Sequence, residues 1–166
     1  PTFISLVSVQ LNKLVAESFS PNPELKNCLV GGGSADNNLL KNAAELCSPV
    51  NVVYGSTETA SFVTSLLKDE IIFKPNSVGK AVPTNKILIK DADGNEQKPF
   101  EIGEVTVQSN SFMSGYIDDS ETKHVIFEDY YFTGDLGYMD DDGFLFITGR
   151  KNYLFAGNHE AATNIG

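Results

Sequence analysis

Apolar and polar positions fall into blocks along this chain, and the blocks predict an α/β unit followed by a β-rich stretch. Phe3-Ile4 reads as the end of a strand. Val7, Leu11, Leu14 and Val15 then recur at helical spacing, which predicts a helix over 6–16 with Ser5 or Ser8 as its cap. Pro21 and Pro23 end regular structure. A short strand is expected over 25–30, and Gly31-Gly32-Gly33-Ser34 follows it as a glycine loop. Asp36 is placed to cap a helix over 37–46. The apolar run Val50-Asn51-Val52-Val53-Tyr54 has the length and composition of a buried strand. Strand, glycine loop, helix and strand in that order imply a parallel sheet. Residues 59–68 are ambiguous between loop and strand; their β-branched residues favour strand, while Leu66-Leu67 keeps helix open.

After Pro75 the texture changes. Residues 78–82 are marked by glycine and proline, and Lys86-Ile87-Leu88-Ile89-Lys90 is a strand. Asp91-Ala92-Asp93-Gly94-Asn95 is a turn, and a further strand is expected over 101–107. Residues 119–121 suggest a short helix. Tyr138-Met139, the acidic Asp140-Asp141-Asp142-Gly143 and Phe144-Leu145-Phe146-Ile147 form a hairpin signal, with the three aspartates as a solvated tip. The fold expected is therefore α/β, a parallel α/β unit followed by a small antiparallel, barrel-like module. Its parts are an α/β portion over 1–80, a β-rich subdomain over 81–151, and a hinge with the start of a further domain over 152–166.

Composition narrows the picture. Eleven Phe and six Tyr supply a real core. A net charge of -10 argues against an extended nucleic-acid surface, although backbone amides of a glycine loop can still bind phosphate in an acidic protein. Cys28 and Cys47 flank apolar segments and read as buried free thiols, which suits a reducing, cytoplasmic setting. The sequence has no apolar run of the roughly 18 residues that a membrane-spanning helix needs. Pro1 leads straight into core-like sequence, so the chain reads as a piece of a longer protein. His124 and His159 have no second ligand at zinc spacing.

The chemistry concentrates at Tyr54-Gly55-Ser56-Thr57-Glu58. A carboxylate and hydroxyls at the end of an apolar strand suit a ligand site: the carboxylate can hold Mg²⁺ and the hydroxyls can donate to phosphate oxygens. Much later come Thr133-Gly134-Asp135 and Gly149-Arg150-Lys151. Read alone, each also has a structural explanation: Asp135 as a turn cap, Arg150 as a solvated strand end, Tyr54 as core, Glu58 as a helix-start carboxylate and the glycines as a tight turn.

Taken in order, these stretches resemble the acyl-adenylate-forming superfamily of acyl-CoA synthetases, carrier-protein-loading adenylation domains and luciferases. Residues 54–58 resemble its Tyr-Gly-x-Thr-Glu motif. Gly103-Glu104 with Gly115-Tyr116 resembles its Gly-Glu-Leu…Gly-Tyr element, and Thr133-Gly134-Asp135 its Thr-Gly-Asp motif. Asp142-Gly143 and Gly149-Arg150-Lys151 resemble the stretch before the hinge, and the 15-residue step from Asp135 to Arg150 is the family's spacing. The opening residues and the Val30-Gly31-Gly32-Gly33 loop are also similar to small bacterial acyl-CoA ligases, including the o-succinylbenzoate–CoA type.

The resemblance implies roles. Thr57 would bond the α-phosphate of ATP or acyl-AMP, and Glu58 would hold Mg²⁺. Tyr54 would pack beside adenine, with Gly55 and Ser56 also at the nucleotide. Gly32, Gly33 and Ser34 would line the adenine and acyl sites. Asp135 would accept from the ribose hydroxyls, and Arg150 would contact the ribose and phosphate edge. Thr57, Glu58 and Arg150 would form the catalytic set.

The implied reaction converts a fatty or aryl carboxylic acid to acyl-AMP and then, with CoA, to acyl-CoA. Carrier-protein loading, a fatty acyl–AMP ligase, and a non-catalytic nucleotide-binding relative are the alternatives. The family's phosphate loop belongs upstream of Pro1 and its lysine-bearing C-terminal domain after Gly166, so these residues alone are expected to be inactive. The chain departs from the family at Tyr153-Leu154, where an Asp or Lys hinge is usual, and at Gly157-Asn158-His159-Glu160. A homodimer is left open.

Overall fold

The computed structural model describes residues 2–17, 20, 22, 24–33, 35–47, 49–127 and 129–151. Strand β1 (Phe3–Val7), helix α1 (Ser8–Ala16), β2 (Asn27–Gly31), α2 (Asn37–Leu46) and β3 (Val50–Ser56) form two successive crossovers. Both pairings, β1 with β2 and β2 with β3, are parallel. The α2 boundaries match the sequence reading, and Asp36 Oδ1 accepts from the amides of Asn38 and Leu39 at 2.9 Å each. The first helix differs. The strand runs through Val7, the helix begins at Ser8, and the residue at the cap position is Val7, whose amide donates to Gln10 Oε1 at 3.1 Å. Leu6 and Val7 are apolar, so they satisfy either periodicity, and strand pairing claims them.

The ambiguous segment after β3 is a strand, β4 (Ser61–Leu66), running antiparallel to β3; β5 (Lys80–Ala81) adds to it. The sheet is therefore mixed, in the order β1-β2-β3-β4-β5. A four-residue turn joins β3 to β4, too short for anything but a reversal. Thr59 is buried in that turn, accepts from the Ser56 amide at 3.0 Å and donates to the Ser61 carbonyl at 2.7 Å. Gly55 sits where the register slips, and a Cβ there would lie 2.6 Å from Phe62 Cα and closer still to the Ser61 carbonyl oxygen.

The second half holds β6 (Asn85–Lys90), β7 (Gly103–Ser109), α3 (Asp119–Val125), β8 (Ile126–Phe127), β9 (Tyr130–Met139) and β10 (Leu145–Arg150). These strands form an antiparallel sheet in the order β10-β9-β7-β6, with β8 on β9. Helix α3 is longer than expected, and 133–137 lies inside β9.

Two apolar cores interlock at the junction of the sheets. Leu11, Val30, Leu40, Val50, Val52 and Leu66 pack with Phe144 of the second half, while Val63 of β4 packs with Ile89, Val105, Val107 and Leu145. Polar ties fasten the seam. The amide of Val78 and Ser77 Oγ both donate to the Leu145 carbonyl, at 2.9 and 2.8 Å, and the Leu145 amide donates to the Gly79 carbonyl at 2.9 Å. Asp140, expected at a solvated tip, is 7% exposed and pairs with Lys74 Nζ at 2.6 Å. Its partner is distant in sequence, and its Oδ1 also accepts from the amides of Asp142 and Phe144, so the turn has an internal acceptor that must stay dry. Cys28 and Cys47 are free and buried.

Candidate active site

The carboxyl ends of β1, β2 and β3 open into a cleft of about 900 Å³ bordered by the β9–β10 pair. Gly32, Gly33, Tyr54, Gly55, Asp135 and Arg150 line it together. Gly32 has φ +68° and a Cβ there would lie 3.1 Å from Val7 Cγ1, so only glycine fits the loop without strain. The Gly33 carbonyl accepts from Ser8 Oγ at 3.2 Å, which ties the loop to the first turn of α1. Ser34 lies outside the described residues, as do Tyr153 and the Gly157–Glu160 stretch.

At the floor of the cleft, β3 meets β9. Tyr54 donates its hydroxyl to Asp135 Oδ2 at 2.7 Å, and Arg150 Nη1 donates to Oδ1 at 3.1 Å. Burial first, and then the neighbouring Asp135, push the Tyr54 phenol well above its ordinary range, so it remains a donor. Asp135 is 16% exposed and Arg150 is 74% exposed. Each carboxylate oxygen has a second lone pair, so Asp135 can accept from two further hydroxyls while both protein donors stay in place.

The backbone on either side of Asp135 is fixed. Thr133 Oγ1 accepts from the Asp135 amide at 3.0 Å and donates to the Val105 carbonyl at 2.9 Å. Glu104 of β7 takes the Gly134 amide on Oε1 at 3.2 Å and Lys151 Nζ on Oε2 at 2.8 Å, while the Lys151 amide donates to the Gly134 carbonyl at 2.7 Å. One buried carboxylate thus ties the neighbour of Asp135 to the neighbour of Arg150.

Ser56 ends β3, and Thr57 and Glu58 stand in the turn that follows, all three outside the cleft lining. Thr57 is exposed, and its carbonyl accepts from the Ala60 amide at 3.0 Å. Glu58 Oε1 accepts from the Tyr116 hydroxyl at 2.7 Å. Burial raises the Glu58 carboxyl, but hydrogen bonding to Tyr116, its own amide, Ser56 and Tyr131 together outweighs burial and holds it below its ordinary value. Tyr131 is within electrostatic reach of both Glu58 and Arg150, and burial above all pushes its phenol up to about 12.

Among the described residues no three His, Cys, Asp or Glu side chains gather to hold a metal ion. A single ionised carboxylate beside hydroxyls fits Mg²⁺ that arrives on phosphates, because Mg²⁺ keeps much of its water and needs only one or two protein carboxylates.

Glu104 and Tyr116 stand within the motifs, but nothing local in the sequence marks a role for either. Their partners lie 30 and 58 positions away, at Gly134 and Glu58, and no local pattern encodes those contacts.

One cleft thus joins a glycine loop to a partly buried carboxylate. Residues 1–117 match the model of the family described as AMP-binding enzyme, and the chain belongs to that family. Its relatives are more particular. It is 38% identical over 160 residues to the 2-succinylbenzoate–CoA ligase of Bacillus velezensis and 36% identical over 163 residues to that of Geobacillus kaustophilus, with 96% of this chain and 33% of each relative covered.

In three dimensions it matches the O-succinylbenzoate coenzyme A synthetase of Bacillus subtilis in complex with ATP and magnesium ion, with a TM-score of 0.82 and 34% identity over 90% of this chain and 31% of that one. The same synthetase with its acyl-adenylate intermediate also gives 0.82. The amide bond synthetase McbA of Marinactinospora thermotolerans gives 0.79 at 30% identity, covering 90% of this chain and 32% of that one. The chain spans about one third of the length of the relatives it matches. No helix of the described residues is long and apolar enough to cross a membrane.

Proposed function

We propose that this chain supplies the nucleotide-binding core of an AMP-forming acid–thiol ligase whose whole length is that of its relatives. The observation that carries the proposal is the meeting of Tyr54, Asp135 and Arg150 on one cleft, with the Thr57–Glu58 corner in the turn that follows β3.

In this reading Asp135 accepts the two ribose hydroxyl protons as a bidentate acceptor. Tyr54 holds that carboxylate and offers its ring to the base. Thr57, exposed beside Gly55, donates to an α-phosphate oxygen. Glu58 would hold Mg²⁺, which supplies positive charge to the phosphates as pyrophosphate departs. Arg150, exposed and paired only at the surface, is free to swing from Asp135 toward the phosphate edge. A carboxylate oxygen of the acid attacks the α-phosphorus, the bond to the β-phosphate oxygen breaks, and acyl-AMP and pyrophosphate form. The thiolate of CoA then attacks the acyl carbon and AMP leaves. An aryl acid is the substrate class favoured by the 2-succinylbenzoate–CoA ligases among the relatives. The cytoplasm is the location expected of such a ligase.

The likeness to an amide bond synthetase supports a second reading of the last step, with an amine in place of the thiol. Pyrophosphate exchange by the full-length protein against a panel of aryl and fatty acids tests the first step, and CoA, carrier protein and amines offered in turn test the second. Exchange with no acid in the panel, while ATP still binds, overturns the ligase in favour of a nucleotide-binding relative.

A further inference from the structure

The Thr57–Glu58 corner is gripped from the far side by the segment between β7 and α3. The Met113 amide donates to the Glu58 carbonyl at 2.8 Å, so the backbone of that residue is fixed. The Tyr116 hydroxyl donates to Glu58 Oε1 at 2.7 Å, so its side chain is fixed as well. Tyr116 is itself anchored, because its amide donates to Thr122 Oγ1 of α3 at 2.8 Å. Gly115 permits this: at φ +145°, a Cβ would lie 3.0 Å from Thr122 Oγ1. Asp118 caps the helix that carries Thr122 by accepting from the Ser120 amide at 2.8 Å. A rigid relay therefore runs from α3 through Thr122 and Tyr116 to one oxygen of Glu58.

A carboxylate on a solvent-facing turn ordinarily samples several rotamers, and a cation that needs one of them must select it. The phenol removes that freedom while leaving lone pairs for a ligand.

Resting on the acyl-adenylate reading, we propose that Tyr116 is a positioning residue for the cation: it locks Glu58 in the orientation that receives Mg²⁺ carried by the nucleotide. Hydrogen-bond partners of metal-holding side chains commonly contribute about 10- to 100-fold in metal affinity. A tie that only stabilised the fold would change melting and leave metal affinity alone.

The test uses the full-length protein, Mn²⁺ as the probe and α,β-methylene-ATP as the unreactive nucleotide, with free Mn²⁺ read by electron paramagnetic resonance. Tyr116→Phe should weaken Mn²⁺ binding in the ternary complex about tenfold. It should also raise the metal concentration needed for half-maximal exchange more than it lowers kcat. Thr122→Val, which removes the anchor, should shift Mn²⁺ affinity in the same direction, and Thr122→Ser should restore it. Should Tyr116→Phe fail to fold, the Thr122 pair carries the test. Mn²⁺ affinity unchanged or tightened in Tyr116→Phe, with Glu58→Gln weakened, overturns the positioning role and leaves the ligase reading intact. Equal Mn²⁺ affinity in wild type and Glu58→Gln overturns the metal role of Glu58 and the inference with it.

Discussion

Asp135→Ala is the substitution that bears most directly on the site. In the free protein it removes the acceptor for Tyr54 at 2.7 Å and for Arg150 at 3.1 Å. The two losses differ in weight. Arg150 is 74% exposed, so water replaces its partner and the pair contributes at most about 1 kcal/mol. The Tyr54 hydroxyl is sheltered, and stranding it costs about 1–2 kcal/mol of stability. With nucleotide bound, the variant also loses a charged acceptor for two hydroxyls. Each such bond has a net strength of about 1.5–3 kcal/mol when fully desolvated. Asp135 retains some solvent access, so a combined loss of about 1–3 kcal/mol is expected, or roughly 5- to 150-fold in AMP affinity. Isothermal titration of the full-length protein with AMP measures it.

Tyr54→Phe should weaken AMP only severalfold, because Asp135 remains but loses its fixed orientation. If Tyr54 acts through Asp135, adding Tyr54→Phe to Asp135→Ala should cost little more than Asp135→Ala alone. Unchanged AMP affinity in a folded Asp135→Ala protein refutes the ribose role. Full additivity of the pair refutes the claim that Tyr54 works through the carboxylate.

Three further outcomes follow from the packing. Burial raises the Asp140 carboxyl, but Lys74 and the amides of Phe144 and Asp142 hold it below its ordinary value. A depressed carboxyl contributes stability above its unfolded pKa of about 3.9 and loses it as pH falls through the folded value, so melting should fall steeply below about pH 4 and Asp140→Asn should flatten that limb. Gly55→Ala forces β4 off β3 at Ser61 and Phe62 and should cost about 2 kcal/mol, seen as a lowered melting temperature together with weaker AMP binding. Burial, with Cys47 nearby, pushes the Cys28 thiol up to about 12. Native Cys28 should therefore alkylate at least about a hundredfold more slowly than in urea, as read by peptide mass spectrometry.

The elements that could be read from the sequence were those whose local signals agreed with their tertiary setting. Helix α2 has its cap at Asp36 and buries Leu40 and Ala43 on one face, so cap and periodicity coincide with the structure. The start of α1 could not be placed, because Leu6 and Val7 suit a strand as well as a helix and the cap acceptor is Gln10, inside the helix. In 59–68 the β-branched residues favour strand without excluding loop or helix; the turn built around Thr59 and the close approach allowed at Gly55 make it a strand. The glycine loop, the β3 corner and the Thr-Gly-Asp stretch were visible as motifs. The bond between Tyr54 and Asp135 spans 81 positions, and the one between Lys74 and Asp140 spans 66. Such pairs are set by how the sheets meet, which no local window contains.

That junction has a consequence for the site. Tyr54 belongs to the mixed sheet and Asp135 to the antiparallel one, so their 2.7 Å contact holds only while the sheets keep their register. Leu145 is the point of attachment: three hydrogen bonds join its backbone to 77–79, its side chain is 1% exposed in the shared core, and it begins the strand that carries Arg150. Lys74, Asp140 and Phe144 close the same corner. Ser77 borders the cleft, but its Oγ bonds to none of Tyr54, Asp135 and Arg150; its removal leaves the Gly79 amide without its acceptor and takes one donor from the Leu145 carbonyl. Ser77→Ala should therefore lower stability by about 1–2 kcal/mol and weaken AMP as well, because the β10 register that sets Arg150 and Asp135 loosens with it. Stability lost with AMP affinity intact would place the ribose carboxylate on β9 alone, independent of the seam.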